Sequence, residues 1–267
     1  MTRLELTQQI RQKKSYLCIG LDTDLDRIPR HLLADPDPVF AFNKAIIDST
    51  RALCVSYKIN TAFYEARGIA GWESLQKTVD YIPSSHFKIA DAKRGDIGNT
   101  SAQYARAFFE TLQFDAVTVA PYMGRDSVQP FLEYPGKWTI VLGLTSNPGS
   151  ADFELQSTGS RFLYEMVLEK AASWGTPDNM MFVVGATRSE WMERIRKITP
   201  KYFYLVPGIG AQDGSLDDVS RQGLIADVGL LVHASRSVIY ASGSQDFAEA
   251  AARVSSGYQQ QMQAFLD

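Results

Sequence analysis

Eight short apolar runs rich in Val, Ile, Tyr and Phe recur along the chain, at 16–21, 55–60, 86–91, 116–121, 139–144, 181–186, 202–207 and 228–235. None alternates strictly between apolar and polar residues, so they read as parallel strands covered on both faces. The segments between them are long enough for crossover helices. Several carry apolar residues at helical spacing, such as Ala105, Phe108, Phe109 and Leu112, or Phe162, Met166 and Val167. Eight strands alternating with helices in 267 residues predict an α/β fold, a (β/α)8 TIM barrel. A doubly wound open sheet shares that alternation and is the competing architecture. No Pro, Gly or Ser-rich linker interrupts the series, so residues 1–267 are expected to form a single catalytic domain.

Composition narrows the partners. With 27 basic and 30 acidic residues the net charge is -3, and no basic stripe of the kind that tracks a phosphate backbone is present. Nucleic acid is therefore not an expected partner. The N-terminus mixes charge with apolar residues and lacks the h-region of a signal peptide. No apolar stretch approaches membrane-spanning length, and the expectation is a soluble cytoplasmic protein without a membrane partner. Cys18 and Cys54 sit in or beside apolar runs, far from any C-x-x-C spacing, and read as buried free thiols. His31, His86 and His233 are too scattered for a metal site or a triad; His233, two residues before Ser235, is placed to line the rim but reads first as a packed or capping histidine. Asn43, Lys44, Asp217 and Asp218 read as ordinary helix-face or loop groups, and Tyr122 to Asp126 carry no assignable role.

Chemistry concentrates at the ends of the runs, where a barrel of this type builds its site. The segment Asp91-Ala92-Lys93-Arg94-Gly95-Asp96-Ile97-Gly98-Asn99-Thr100 sets two carboxylates and an amine around a turn. In an extended chain side chains alternate faces, so Asp91 and Lys93 are expected to point the same way. Strand one ends in Gly20-Leu21-Asp22, strand two carries Lys58 with Asn60, and strand five runs into Thr145-Ser146-Asn147-Pro148-Gly149. Strand seven yields Pro207-Gly208-Ile209-Gly210-Ala211-Gln212, and strand eight closes with Ser235-Arg236. Gly208 and Gly210 would let the backbone approach an anion, while Ser235 and Arg236 offer an amide and a bidentate guanidinium. Each feature alone also has a bland reading: the glycines a tight turn, Lys58 a snorkelling lysine, Asp22 a helix cap.

Taken together and in order, DAKRGDIGNT, TSNPG, PGIGAQ and SRSVIYAS resemble orotidine 5'-phosphate decarboxylases, over nearly the whole chain. KRGDIGNT, VVGAT, TSNPG and the length are similar to the longer bacterial branch of that family. The resemblance implies a (β/α)8 barrel that decarboxylates orotidine 5'-monophosphate to UMP in pyrimidine biosynthesis, without metal or organic cofactor. It implies Lys93 as the proton donor to C6 of the pyrimidine, Asp91 against the substrate carboxylate, and Lys58 as the anchor of the charged array. Asp22 would hold a ribose hydroxyl, and Ser146 would recognise the pyrimidine amide. Pro207 falls in the phosphate-binding segment, Gln212 matches a lid residue bridging base and phosphate, and Arg236 matches the phosphate-binding arginine. Ser235 stands where relatives often have Gly. Asp96 and Thr100 match residues that cross a homodimer interface into the neighbouring site.

Three other readings share parts of this pattern. Sugar-phosphate decarboxylases and aldolase-like synthases carry a similar D-x-K-x-x-D but bind magnesium with a Glu on strand two, where this chain has Lys58. A phosphate-binding barrel without turnover would be expected to have lost members of the charged array. A Schiff-base lyase would use Lys93 as nucleophile, a poor one beside two carboxylates.

Overall fold

The computed structural model describes all residues except 187–188 and 211–213. Eight parallel strands close into a barrel: β1 (Leu17–Gly20), β2 (Ser56–Asn60), β3 (Phe87–Arg94), β4 (Ala116–Val119), β5 (Trp138–Leu144), β8 (Met180–Val184), β9 (Phe203–Pro207) and β10 (Leu230–Ala234). The remaining strands, β6 (Ser157–Thr158) and β7 (Arg161–Phe162), form a small antiparallel hairpin after β5. Each apolar run of the sequence thus supplies one barrel stave, and closure between β1 and β10 excludes the open sheet. The strands are buried on both faces, as their unbroken apolar character requires.

The bottom of the barrel is a stability device. Thr2 and Glu5 form a reciprocal capping box that starts the helix Arg3–Lys13. The Met1 ammonium donates to Asp115 at 2.9 Å, just before β4, and the Met1 carbonyl accepts from the Trp138 indole at 2.8 Å, at the start of β5. Arg3 spans three further strand entries, bonding Asp227 at 2.6 Å and the carbonyls of Pro177 and Lys201 at 2.5 and 2.6 Å. Both cysteines are free and buried, as expected. No helix among the described residues is long and apolar enough to cross a membrane.

Two local expectations need correction. In the helix Leu163–Ala172 the buried face is Tyr164, Leu168 and Ala171, while Met166 is 44% exposed. Phe162 precedes the helix and packs edge-on against Trp191, so the apolar set at 162, 166 and 167 is not the core stripe. Asn43 is no surface group: it is fully buried in the helix Pro38–Thr50. Its amide donates to Tyr64 Oη at 2.8 Å and Thr78 Oγ1 at 3.0 Å and accepts from Thr23 Oγ1 at 2.5 Å.

Candidate active site

At the C-terminal rim of the strands lies a cavity of about 280 Å³. Asp22, Lys58, Asp91, Lys93, Ser146, Pro207, Ser235 and Arg236 all line it, and all eight barrel strands or the loops that follow them contribute to the lining. Asp96 and Thr100 are not among its lining residues: Thr100 is exposed in the first turn of the helix Gly98–Arg106, and Asp96 Oδ1 accepts the Ile97 N–H at 2.8 Å. Gln212 lies outside the described residues.

The charged side chains form one alternating row. Lys58 Nζ donates to Asp91 Oδ2 at 2.8 Å and lies 3.6 Å from Asp22 Oδ1. Lys93 Nζ reaches the other oxygen of Asp91 at 2.5 Å. Lys58 is 3% exposed, so this ammonium is held in the protein and not by water. Burial opposes its charge, but the fields of Asp22 and Asp91 outweigh that cost and raise its pKa. The same accounting holds Asp91 well below the usual carboxylate range: burial pushes it up, and Lys58 and Lys93 more than reverse this. Asp22 is lowered too, with burial opposed by Lys58 and by a hydrogen bond from Ser235. Lys93 stands at the mouth of the cavity with its side chain 52% exposed.

Asp91 and Lys93 converge, but simple alternation is not the reason. The pairing of β3 with β4 shifts register between Ala90 and Arg94, and Lys93 adopts a left-handed φ of 43°. Thr118 on β4 fastens this bulge: its hydroxyl accepts the Lys93 N–H at 2.9 Å and donates to Asp91 Oδ1 at 3.0 Å. Bulges of this kind re-aim side chains, and here the bulge turns the amine back onto the carboxylate.

The other walls follow from their loops. Thr145 is tied to Glu154 through its N–H at 2.7 Å and its hydroxyl at 2.9 Å, which orients the turn carrying Ser146. A Cβ on Gly185, at the end of β8, would come within 2.7 Å of Ser146 Cβ, so that loop packs where only glycine leaves room. Gly208 has φ 108°, a conformation that a side chain would strain, and it lines the cavity. Arg236, exposed at the rim, opens the short helix after β10.

Sequence reasoning overlooked Thr118, took Asn43 for a helix-face or loop group, and ranked packing or capping above the rim for His233. Thr118 and His233 both line the cavity. A signal existed for each, since Thr118 is the lone polar residue of AVTV and His233 interrupts LLVHA. Among the described residues no group of three His, Cys, Asp or Glu is placed to hold a metal ion. The position between Asp22 and Asp91 is filled by the Lys58 ammonium.

Residues 15–253 match the model of the orotidine 5'-phosphate decarboxylase / HUMPS family. The chain belongs to this family. Over its whole length it is 56% identical to the orotidine 5'-phosphate decarboxylase of Christiangramia forsetii, covering 99% of that protein. It is 57% identical to the one from Flavobacterium johnsoniae, again over 100% of the chain and 99% of the relative. The solved structure of Leishmania donovani OMP decarboxylase superposes with a TM-score of 0.84 at 36% identity, covering 100% of this chain and 99% of that one. These relatives place the chain on the orotidine 5'-phosphate decarboxylase side of the family, among the carboxy-lyases of pyrimidine biosynthesis.

Proposed function

We propose that this chain, acting as one catalytic domain in the cytoplasm, decarboxylates orotidine 5'-monophosphate to UMP by electrostatic stabilisation of a C6 carbanion, without metal or organic cofactor. The row Asp22, Lys58, Asp91, Lys93 carries this reading. When the bond between C6 and the carboxylate carbon breaks, carbon dioxide leaves and the electron pair stays in an sp2 orbital at C6. The Lys93 ammonium, held by Asp91, stabilises that pair and then passes its proton to C6. Asp91 presents negative charge beside the substrate carboxylate, a repulsion that is relieved as neutral carbon dioxide departs.

Asp22 and Lys58 serve the ribose, Ser146 the pyrimidine amide, and Pro207, Gln212, Ser235 and Arg236 the phosphate end. Phosphate binding energy offsets the cost of desolvating the reacting end of the nucleotide. Asp96 and Thr100 act across a homodimer interface, on the partner's Lys93 side. The exposure of Ile97 (54%), Tyr122 (84%) and Met123 (49%) on the loops that follow β3 and β4 supports an apolar partner surface there.

The direct test follows loss of substrate absorbance when the purified protein meets orotidine 5'-monophosphate in the presence of EDTA. Turnover that survives the chelator and vanishes in Lys93→Ala is expected. A requirement for Mg2+ would instead point to the metal-dependent relatives, and a borohydride-trapped adduct at Lys93 would overturn its role as proton donor.

A further inference from the structure

The His233 imidazole is a buried polar group lining the cavity that the mechanism above leaves unused. Its Nε2 is fully buried and has no hydrogen-bond partner, which is costly for a polar atom in a packed interior. The ring fills the notch left by Gly20: a methyl group there would sit 2.4 Å from His233 Nε2. Gly20 is in turn the register partner of Lys58 on the neighbouring strand β2. His233 therefore lies against the strand position beside which the Lys58 side chain begins.

We propose that His233 is a positioning residue of the charged row: a neutral imidazole, protonated on Nδ1, whose Nε2 lone pair faces the Lys58 ammonium and keeps it on Asp91. The inference rests on the decarboxylation reading for its kinetic arm only. An ammonium has three donors. One is taken by Asp91 at 2.8 Å and a second is directed to Asp22 at 3.6 Å, which leaves one for a neutral acceptor. The charged groups whose fields act on the ring are Lys58 from β2, Asp22 from the end of β1, and Asp91 and Lys93 from β3. On its other side its register partner in β9 is the uncharged Pro207. Burial and then Lys58 depress the ring's pKa to about 3, in keeping with a neutral acceptor.

The chain has three histidines, so nitrogen-15 NMR of the imidazole rings in the full-length protein is tractable. The expected spectrum at neutral pH shows His233 uncharged with the proton on Nδ1. A proton on Nε2, or an imidazolium, would overturn the assignment. In kinetics with orotidine 5'-monophosphate, His233→Leu should lower kcat by about tenfold or more while KM moves little, as expected when a charged group is misplaced rather than lost. Gln can present its amide oxygen near the position of Nε2, so His233→Gln should recover most of kcat. A Leu variant as fast as the native protein, or a Gln variant as slow as the Leu one, would refute the positioning role. Should the Leu variant fail to fold, the tautomer measured in the native protein decides. Native protein that does not turn over the nucleotide at all would sink the decarboxylation reading, and the tautomer would still judge His233.

Discussion

Lys93 holds a left-handed backbone, φ 43°, at the position where the proposed proton donor must sit. Such a conformation costs a non-glycine residue about 1–2 kcal/mol, and the Thr118 hydroxyl offsets it by taking the Lys93 N–H at 2.9 Å. Thr118→Val keeps the shape and removes that acceptor. It should lower stability by about 1–3 kcal/mol, the cost of an unsatisfied buried donor, and lower kcat as well, read by urea unfolding and steady-state kinetics. Lys93→Ala should reduce kcat by at least about 10³-fold, since general-acid transfer alone is worth 10²–10⁴, without loss of fold by circular dichroism. Arg236→Ala should cost about 3 kcal/mol in kcat/KM, the scale of a truncated charged contact. An unchanged value would remove Arg236 from the phosphate site.

Among elements, the barrel strands were legible because burial on both faces leaves an unbroken apolar run. The bulge in β3 was not, because it depends on how β3 pairs with β4 and on Thr118. The face of the helix Leu163–Ala172 was misread for a related reason: two apolar sets compete along it, and only packing against the neighbouring elements selects Tyr164, Leu168 and Ala171. Asn43 stands between an apolar Phe42 and the apolar pair Ile46 and Ile47, yet its partners come from three other segments. Through Thr23 and Tyr64, which also bonds the Leu21 carbonyl at 2.9 Å, it braces the loop on which Asp22 stands. Asn43→Ala is therefore expected to cost about 2–4 kcal/mol from stranded buried partners and to raise KM through Asp22, measurable by thermal unfolding and initial rates.

For the whole molecule, acid should be destabilising before any carboxylate of the site titrates. Burial, with Lys13 second, lowers His86 to about 4, and burial, with Lys58 second, lowers His233 to about 3. Both rings stay neutral in the folded chain, whereas in the unfolded chain they take up protons below about pH 6.5. Their contribution is intact above that pH and is lost as pH falls, at about 1.4 kcal/mol per unit for each ring. Asp22 and Asp91, whose pKa values are depressed, add losses only below about pH 4. Urea midpoints should thus fall between about pH 6.5 and pH 5, and a flat profile over that range would contradict the neutral histidines. The proposed homodimer has its own test. Mixing the inactive Lys93→Ala and Asp96→Ala variants should restore about a quarter of the sites, because a mixed dimer contains one intact pair. No recovery after subunit exchange would place Asp96 in its own chain's site.

The sequence by itself determined the eight staves, their alternation with helices, and the polar residues at the strand ends that meet in one cavity, because these follow from local pattern and from where a barrel strand ends. Only the tertiary structure decided that Lys58 stands between Asp22 and Asp91, that a bulge fastened by Thr118 aims Lys93, that His233 lines the cavity and that Asn43 braces the loop of Asp22. Those facts depend on register and on contacts between segments far apart in the chain, which no local pattern encodes.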